Sequence, residues 1–428
     1  MTIKRAGDSC DIQAGELESL VARSLEAFGG DKLRRVLLLP PDHTRLNSMA
    51  GPITAMAYRM LTAQGAQVDI MPALGTHAPM GEAELRLMFG GSIPLKRFLP
   101  HDWRKDVVGR GVIPGSLLRE WSGGRVDYEV NVEVNRRLFE GYDLILSIGQ
   151  VVPHEVAGMA NYTKNILVGV GGADTINKSH FLGAVCNMEK ALGQTDTPVR
   201  RLLNYGVETF LAGLPIRYIL TVMERDHAAD RMKMRGFYAG AGNDLFEEAS
   251  DLCRKVNVTL LDEPLKKVVV WLDPEEFRST WLGNKAIYRS RMAIADAGEL
   301  IILAPGLKEF GEDKEIDRLI RCYGYKGTPN TLQRVKENEE LRKNLSAAAH
   351  LIHGSHEGRF SVTYCPGHLT RQEIESVGYQ FGDLKTVLAR YNPAKLNDGV
   401  NRVDGETVFF ISNPALGLWS YRANFSGV

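Results

Sequence analysis

Side chains that could transfer protons or bind a metal occur at three places in the first half of the chain. The run from Asp42 to Arg45 is one, His77 is the second, and the stretch from His154 to His180 is the third. A neutral imidazole exchanges protons near neutral pH and is also a ligand for nickel, zinc or copper. The sequence therefore offers candidates for an acid, a base and a metal ligand.

The third stretch also contains a lysine and closely spaced glycines. Lys164 lies ten residues after His154 and sixteen before His180, and Gly171 and Gly172 lie between. Glycine lets backbone N–H groups approach a phosphate closely. A lysine in such a loop suits phosphate binding, or covalent attachment if its pKa is lowered. Each signal is weak alone, because single histidines and glycine-rich turns are most often structural.

Each of the three polar groups follows a predicted buried strand. Short apolar runs at 36–41, 68–74 and 142–149 predict these strands, and helical spacing predicts helices at 17–28 and 53–63. Alternating strands and helices predict an α/β fold with a mainly parallel sheet. Ligands bind beyond the carboxyl ends of parallel strands, so we expect the three polar groups at one edge of the sheet.

A second α/β unit is predicted to begin at residue 263. The sequence patterns there predict further elements: strands at 267–272 and 300–306, a helix at 284–297, mainly helical structure at 313–349 and a late strand at 407–411. We expect two α/β domains with mainly parallel sheets and an interdomain cleft. Residues 1–262 would form the cofactor-binding catalytic domain and 263–404 a substrate or lid domain. The tail, 405–428, is expected to pack back on the first domain.

The composition excludes some classes of partner. The 428 residues include 52 Lys+Arg and 52 Asp+Glu, so the formal net charge is zero. This balance argues against a nucleic acid or a membrane surface as partner. The five cysteines contain no CxxC pair, and their odd number fits a reducing compartment. Without an apolar leader or a run of 18 apolar residues, the chain is expected to be soluble and cytoplasmic.

The order and spacing of these motifs resemble the lactate racemase family. The run at 42–45 is similar to the family's Asp-x-Thr-Arg, and the run at 75–80 to its Gly-Thr-His-x-x-Met. His154, Lys164 and His180 keep the family's spacing. The resemblance implies a nickel-pincer nucleotide cofactor, pyridinium-3,5-bisthiocarboxylic acid mononucleotide nickel. Separate cofactor-synthesis proteins would supply it.

The resemblance also implies individual roles. Lys164 would hold the nucleotide covalently, His180 would bind the nickel, and His77 and His154 would alternate as acid and base. Lys285 matches a lysine that binds the substrate carboxylate. Further contacts to the cofactor are expected from the polar run and the glycines: Asp42, Thr44, Arg45, Gly171 and Gly172.

The implied activity is a racemase or epimerase reaction at C2 of a small 2-hydroxy acid. Hydride leaves C2 and returns to the other face of a planar 2-keto acid, while histidines take and return the hydroxyl proton. Leu282 stands where the family has a glutamine, and 161–164 departs from its Ser-Gly-Gly-Arg-Lys. These departures favour a sugar acid of the gluconate or mannonate type. The second domain offers polar groups for it: Arg289, Arg291, Arg359, His353, His356 and His368.

Three alternatives stay open. Within the same class, lactate or another short 2-hydroxy acid could be the substrate. A zinc-dependent hydrolase or lyase would use His77, His154 and His180 as ligands, which leaves Lys164 without a role. A non-catalytic carrier of the nickel nucleotide would need Lys164 and His180 only. The sequence indicates no oligomeric state.

Overall fold

The computed structural model describes residues 2–226, 231–415 and 417–425. The chain divides into two compact units. Met1–Ser179 and Gly193–Asn257 form the first, and His180–Leu192 and Val258–Val428 form the second. In the described residues each unit contains a six-stranded, mostly parallel sheet, so the predicted two-domain α/β class is confirmed.

The first unit alternates strands and helices for most of its length. Its strands are β1 (Ile3–Ala6), β2 (Arg35–Leu39), β3 (Gln67–Ile70), β4 (Val107–Ile113), β5 (Val130–Asn135), β6 (Leu144–Gln150), β7 (Pro153–His154), β8 (Gly158–Met159), β9 (Ile216–Asp226) and β10 (Arg231–Gly240). Its helices are α1 (Ala14–Phe28), α2 (Ala50–Ala63), α3 (Glu82–Phe89), α4 (Gly115–Trp121), α5 (Ala173–Val185), which ends in the second unit, α7 (Pro198–Phe210) and α8 (Asn243–Asn257). A short helix, α6 (Met188–Ala191), belongs to the second unit.

The sheet of the first unit has the strand order β1-β10-β9-β6-β2-β3. The pairs β9–β6, β6–β2 and β2–β3 are parallel, whereas β1–β10 and β10–β9 are antiparallel. Val36 to Leu39 are buried, which agrees with the unbroken apolar run expected of a strand covered on both faces. The predicted strands at 36–41, 68–74 and 142–149 are thereby confirmed as β2, β3 and β6, with shorter bounds.

The second unit also contains strands that alternate with helices. Its strands are β11 (Val258–Leu261), β12 (Leu265–Trp271), β13 (Ile294–Ala304), β14 (Ser361–Pro366), β15 (Gln380–Phe381), β16 (Gly399–Val403), β17 (Glu406–Ile411) and β18 (Leu418–Tyr421). Its helices beyond α6 are α9 (Thr280–Gly283), α10 (Lys285–Ser290), α11 (Lys314–Tyr323), α12 (Thr328–Glu337), α13 (Glu339–Lys343), α14 (Leu345–His353), α15 (Arg371–Ser376) and α16 (Leu384–Arg390). Its sheet has the order β15-β14-β13-β12-β17-β16, and only its β16–β17 pair is antiparallel in the part of the unit described.

Two predictions for the second unit are wrong. The helix expected at 284–297 ends at Ser290, and β13 begins at Ile294. The tail was expected to pack on the first domain, but β17 pairs with β12 inside the second sheet, and β18 pairs with β11. The apolar run of β17 is buried there between β12 and β16. Leu416 and residues 426–428 of this tail lie outside the described residues.

No helix in the described residues is both long enough and apolar enough to cross a membrane.

Candidate active site

The polar groups after β2, β3 and β6 belong to three neighbouring parallel strands. The backbone continues this arrangement past the strand ends, because Pro41 and Ala73 form a further parallel bridge. The side chain of Asn165 donates to the carbonyl of Leu39 (3.0 Å) and to Ser147 Oγ (2.8 Å). It therefore fastens the segment that carries Lys164 to the ends of β2 and β6.

Asp42 and His77 form a hydrogen-bonded pair across this edge. Nδ1 of His77 contacts Oδ2 of Asp42, and Asp42 is only 3% exposed, whereas His77 is partly exposed. The other carboxylate oxygen accepts from Thr44 Oγ1 (2.5 Å) and Thr44 N (3.1 Å). An ionised Asp42 keeps a hydrogen on Nδ1 of His77 and leaves Nε2 to exchange protons.

Asp42 is held in its charged form by its neighbours. Burial alone would raise the pKa of this carboxyl, but the hydrogen bonds from His77 and Thr44 and the charge of Arg45 outweigh burial and hold the pKa well below its usual range. Arg45 is exposed and donates to Thr44 Oγ1 (2.8 Å). Both oxygens of Asp42 thus bind groups of this cluster, and the carboxylate is placed to orient His77. The cofactor contact that the resemblance implies for Asp42 stays a prediction.

His154 has the opposite hydrogen-bonding pattern. It lies in β7, and its Nδ1 accepts from the backbone N–H groups of Val156 (3.1 Å) and Ala157 (3.4 Å). An acceptor at Nδ1 places the hydrogen of a neutral ring on Nε2. The carboxylate of Glu155 lies 3.8 Å from Nδ1. In their neutral forms, His77 presents an acceptor and His154 a donor at Nε2.

Lys164 begins an irregular helical turn. The next five residues, Asn165–Gly169, form a π-helix, a rare form that is frequent at functional sites. Lys164 is half-buried, and its electrostatic neighbours include Arg45, Glu155 and Asp42. The chain thus brings Lys164 together with the two other polar groups at this edge of the sheet.

The surroundings of Lys164 favour a neutral amine. The pKa of Lys164 is lowered to about 8, mainly by loss of hydration. The positive charges of Arg45 and Arg200 contribute to this lowering, and the negative charges of Glu155 and Asp42 oppose it. A pKa of about 8 instead of 10.5 leaves about 300 times more neutral amine at pH 7. A neutral amine is the nucleophile that covalent attachment requires.

Arg200, on α7, supports the loop before Lys164 and was not found from the sequence. It is 1% exposed, and its guanidinium donates to three oxygens: Met159 O (2.6 Å), Thr163 Oγ1 (2.8 Å) and Asn161 O (3.2 Å). The guanidinium also lies 4.2 Å from the ring centroid of Phe246. Burial lowers the pKa of Arg200 to about 9. These hydrogen bonds join residues 37 or more positions apart, so no local sequence pattern predicts them.

The loop supported by Arg200 is strained. Asn161 and Tyr162 have φ values of +69° and +59°, in the left-handed region that non-glycine residues rarely adopt. The Tyr162 ring packs against Phe246 (5.2 Å between centroids) and Tyr218 (4.5 Å). Such a conformation persists only where the surroundings fix it, and it is typical of functional sites.

Gly171 and Gly172 are required for packing and do not present their N–H groups to a ligand. Gly171 N donates to Val168 O (3.4 Å), and Gly172 N donates to Glu133 O (3.0 Å). A Cβ on Gly171 would lie 1.8 Å from the carbonyl oxygen of Leu167. Their N–H groups are thus used within the protein, and a contact of these two glycines with the cofactor stays a prediction.

His180 lies in the part of α5 that belongs to the second unit, and it is half-buried. Its role as nickel ligand stays a prediction. Across residues 2–226, 231–415 and 417–425, no group of three or more His, Cys, Asp or Glu side chains is placed to hold a metal ion. The zinc alternative, which needs three histidines together, therefore has no ligand group in this part of the chain.

Lys285 is buried at the start of α10, at 8% exposure, with Nζ 5.5 Å from the ring centroid of Phe277. The preceding residue, Asn284, is fully buried and accepts from Tyr364 OH (2.8 Å) and Tyr379 OH (3.3 Å). A buried side-chain network therefore fixes the backbone at the point where Lys285 begins its helix.

Two arginines expected to meet the substrate are paired within the second unit. Arg291 binds Glu189 (2.7 Å) and the carbonyl of Ser355 (2.9 Å). Arg359 binds the same carboxylate (3.0 Å) and that of Asp296 (3.0 Å). These pairs give both residues a structural role. Of the remaining candidates, His353 is buried, His356 is half-buried, and His368 is exposed.

A known protein family matches the part of the chain that contains Asp42, His77, His154 and Lys164. Residues 17–193 match the family model of the lactate racemase N-terminal domain. The match contains every motif from Asp42 to His180, so the resemblance of this part of the chain to the lactate racemase family is confirmed. Lys285 lies outside the matched residues.

Two solved structures share the fold of this chain over nearly its whole length. The crystal structure of a protein from Thermotoga maritima is 23% identical with a TM-score of 0.82, and the match covers 97% of this chain and 100% of that one. The lactate racemase apoprotein from Thermoanaerobacterium thermosaccharolyticum is 16% identical with a TM-score of 0.68, over 97% and 94% of the two chains. No curated protein matches this chain by sequence.

Proposed function

We propose that this protein is a racemase or epimerase that inverts C2 of a 2-hydroxy acid with a nickel-pincer nucleotide attached to Lys164. The observation that carries the proposal is one cluster at the end of the first sheet. It contains a desolvated lysine, His77 oriented by Asp42, and His154 with the opposite donor pattern. The family match of residues 17–193 supports the same activity class.

The residues present fit the proposed cofactor. Lys164 has a lowered pKa, as an amine that forms a covalent bond requires. Arg45 is an electrostatic neighbour of Lys164, and its exposed guanidinium, which donates to Thr44 Oγ1, is suited to a phosphate. His180 would ligate the nickel. When bound, the nucleotide would supply an acceptor for the hydride of C2.

The two histidines would handle the hydroxyl proton. Nε2 of His77 can take it, because the Asp42 carboxylate keeps Nδ1 protonated and stabilises the imidazolium that forms. His154 would donate from Nε2 when the hydroxyl is restored, because its Nδ1 accepts two backbone N–H groups. The two rings would exchange these roles for the opposite stereoisomer. A carrier of the nucleotide would need neither ring to be oriented.

A sugar acid of the gluconate or mannonate type is the proposed substrate, with lactate as the alternative. Two observations support a substrate other than lactate. Leu282 stands where the family has a glutamine, and the second unit instead offers the buried cations Lys285 and Arg289 one helical turn apart. Lys285 would bind the carboxylate. We also propose a cytoplasmic location, with the cofactor-synthesis proteins as partners and neither nucleic acid nor membrane as a ligand.

The test is C2 inversion by protein made together with the cofactor-synthesis proteins. Gluconate and lactate are incubated separately in D₂O, and the epimer or enantiomer is measured by chromatography and NMR. We expect mannonate from gluconate, without deuterium at C2, because hydride transfer does not exchange that hydrogen with solvent. Turnover of lactate alone would contradict the substrate assignment. Deuterium at C2 would contradict hydride chemistry.

A further inference from the structure

The second unit contains a buried arginine without a counter-charge. Arg289 lies in α10 and is 4% exposed. Its Nε and Nη1 have no hydrogen-bond partner, and no carboxylate of the described residues lies within 4.0 Å of its guanidinium. The planar guanidinium of Arg289, whose donors suit an anion, thus lies in the interior without a carboxylate of the described residues beside it.

The other two buried arginines among the described residues each have several partners. Arg200 donates from both Nη atoms to three oxygens and lies over an aromatic ring, although its Nε has no hydrogen-bond partner. Arg291, two residues after Arg289, binds Glu189 and a backbone carbonyl. Arg289 therefore departs from the way this fold treats a buried guanidinium. An uncompensated buried charge destabilises a fold, which indicates that an anion from outside the chain completes it.

The position of Arg289 relates it to Lys285. Asn284 joins α9 to α10 with helical dihedral angles, so helical spacing continues across the junction. Leu282, Lys285 and Arg289 are three and four residues apart, which places them on one face of this helical segment. The buried cations Lys285 and Arg289 are thus one helical turn apart, and the apolar Leu282 lies one turn before Lys285.

We propose that Arg289 is a specificity-determining residue that binds the carboxylate of the substrate through a bidentate pair, with Lys285 as the second cation. The planar guanidinium matches a carboxylate with two parallel N–H donors. The ligand class is a carboxylate on a small hydroxylated molecule. This inference rests on the proposed function, because it names the recognition element for the same 2-hydroxy acid.

The test uses the unloaded full-length chain and two variants. Gluconate binding is measured by titration calorimetry, with sorbitol as the neutral analogue and inorganic phosphate as a second anion. We expect gluconate to bind and sorbitol not to bind. Arg289→Met is expected to weaken gluconate binding at least tenfold, and Arg289→Lys to weaken it less, because lysine keeps the charge without the fork.

Thermal unfolding separates this role from a structural one. Arg289→Met removes an uncompensated charge and is expected to leave the unfolding midpoint unchanged or raise it. The matched variant Arg291→Met leaves Glu189 without its 2.7 Å partner and is expected to lower the midpoint. A lower midpoint or a misfolded protein for Arg289→Met would overturn the inference.

The binding results have equally definite meanings. Absence of gluconate binding by the wild type, or binding unchanged in Arg289→Met, would overturn the inference. Binding of phosphate but not gluconate through Arg289 would overturn it as well, by assigning Arg289 to a phosphate. The proposed function is tested separately by nucleotide attachment to Lys164, so a failure of one is distinguishable from a failure of the other.

Discussion

Asp42 and His77 illustrate what single residues contribute to this site. Their types and positions indicated chemistry, because each follows a strand of a predicted parallel sheet. Their mutual hydrogen bond could not be predicted, since it joins side chains 35 positions apart. The resemblance implies that Asp42 contacts the cofactor, and the structure adds a hydrogen bond by which Asp42 can orient a histidine.

Asp42→Asn separates these two roles. If Asp42 orients His77, the amide weakens the preferred tautomer and the stabilisation of the imidazolium, and kcat is expected to fall by about 100-fold or more. KM and the nucleotide attached to Lys164 should change little. Steady-state kinetics and intact-protein mass spectrometry measure both, with the exposed Asp196→Asn as control. Loss of the attached nucleotide would show instead that Asp42 holds the cofactor.

The amine of Lys164 provides a second test that needs no cofactor. Its pKa of about 8 predicts half-maximal acetylation of the unloaded protein near pH 8, with exposed lysines as internal reference. Arg45→Met removes a charge that lowers this pKa, so the midpoint is expected to move towards higher pH. Peptide mass spectrometry after a short pulse of acetic anhydride measures the rate at each pH. A Lys164 profile that matches the exposed lysines would contradict the account.

At the scale of secondary-structure elements, helix α7 fixes the conformation of the loop before Lys164. The family's Ser-Gly-Gly-Arg-Lys aligns its two glycines with Asn161 and Tyr162, and both residues have positive φ. Asn161 and Tyr162, which replace the two glycines, thus keep a left-handed backbone, and Arg200 of α7 stabilises it.

Apolar periodicity predicts α1, α2 and the central strands well. It fails at 284–297, where the helix ends at Ser290 and β13 begins at Ile294. All residues from 285 to 294 are buried, so burial on one face does not mark where the helix ends.

Arg200→Lys is expected to destabilise the first unit. One ammonium cannot reach all three oxygens that the guanidinium binds, and unsatisfied buried acceptors cost about 1–3 kcal/mol each. The thermal midpoint should fall by about 5 °C or more. The control is Arg201→Lys on the same helix, whose exposed pair with Asp196 contributes little. Equal midpoints for the two variants would contradict a supporting role for Arg200.

The whole molecule contains two α/β units, and the sequence predicts the functional residues of the first unit better than those of the second. The first unit carries its motifs close to strand ends, so its site could be outlined in advance. The second unit has no comparable motif. Arg289 is buried there, but arginine is usually a surface residue, so its residue type does not predict its burial. The C-terminal strand β17 was recognised, but its sheet depends on pairing between segments over 130 residues apart.

The central claim is that Lys164 carries a nickel nucleotide, and intact-protein mass spectrometry with nickel analysis tests it most directly. The protein is made together with the cofactor-synthesis proteins, and Lys164→Ala is made in the same way. The account predicts a nucleotide adduct mapped to Lys164, nickel near one per chain, and neither in the variant. An unmodified lysine without nickel under these conditions would contradict it.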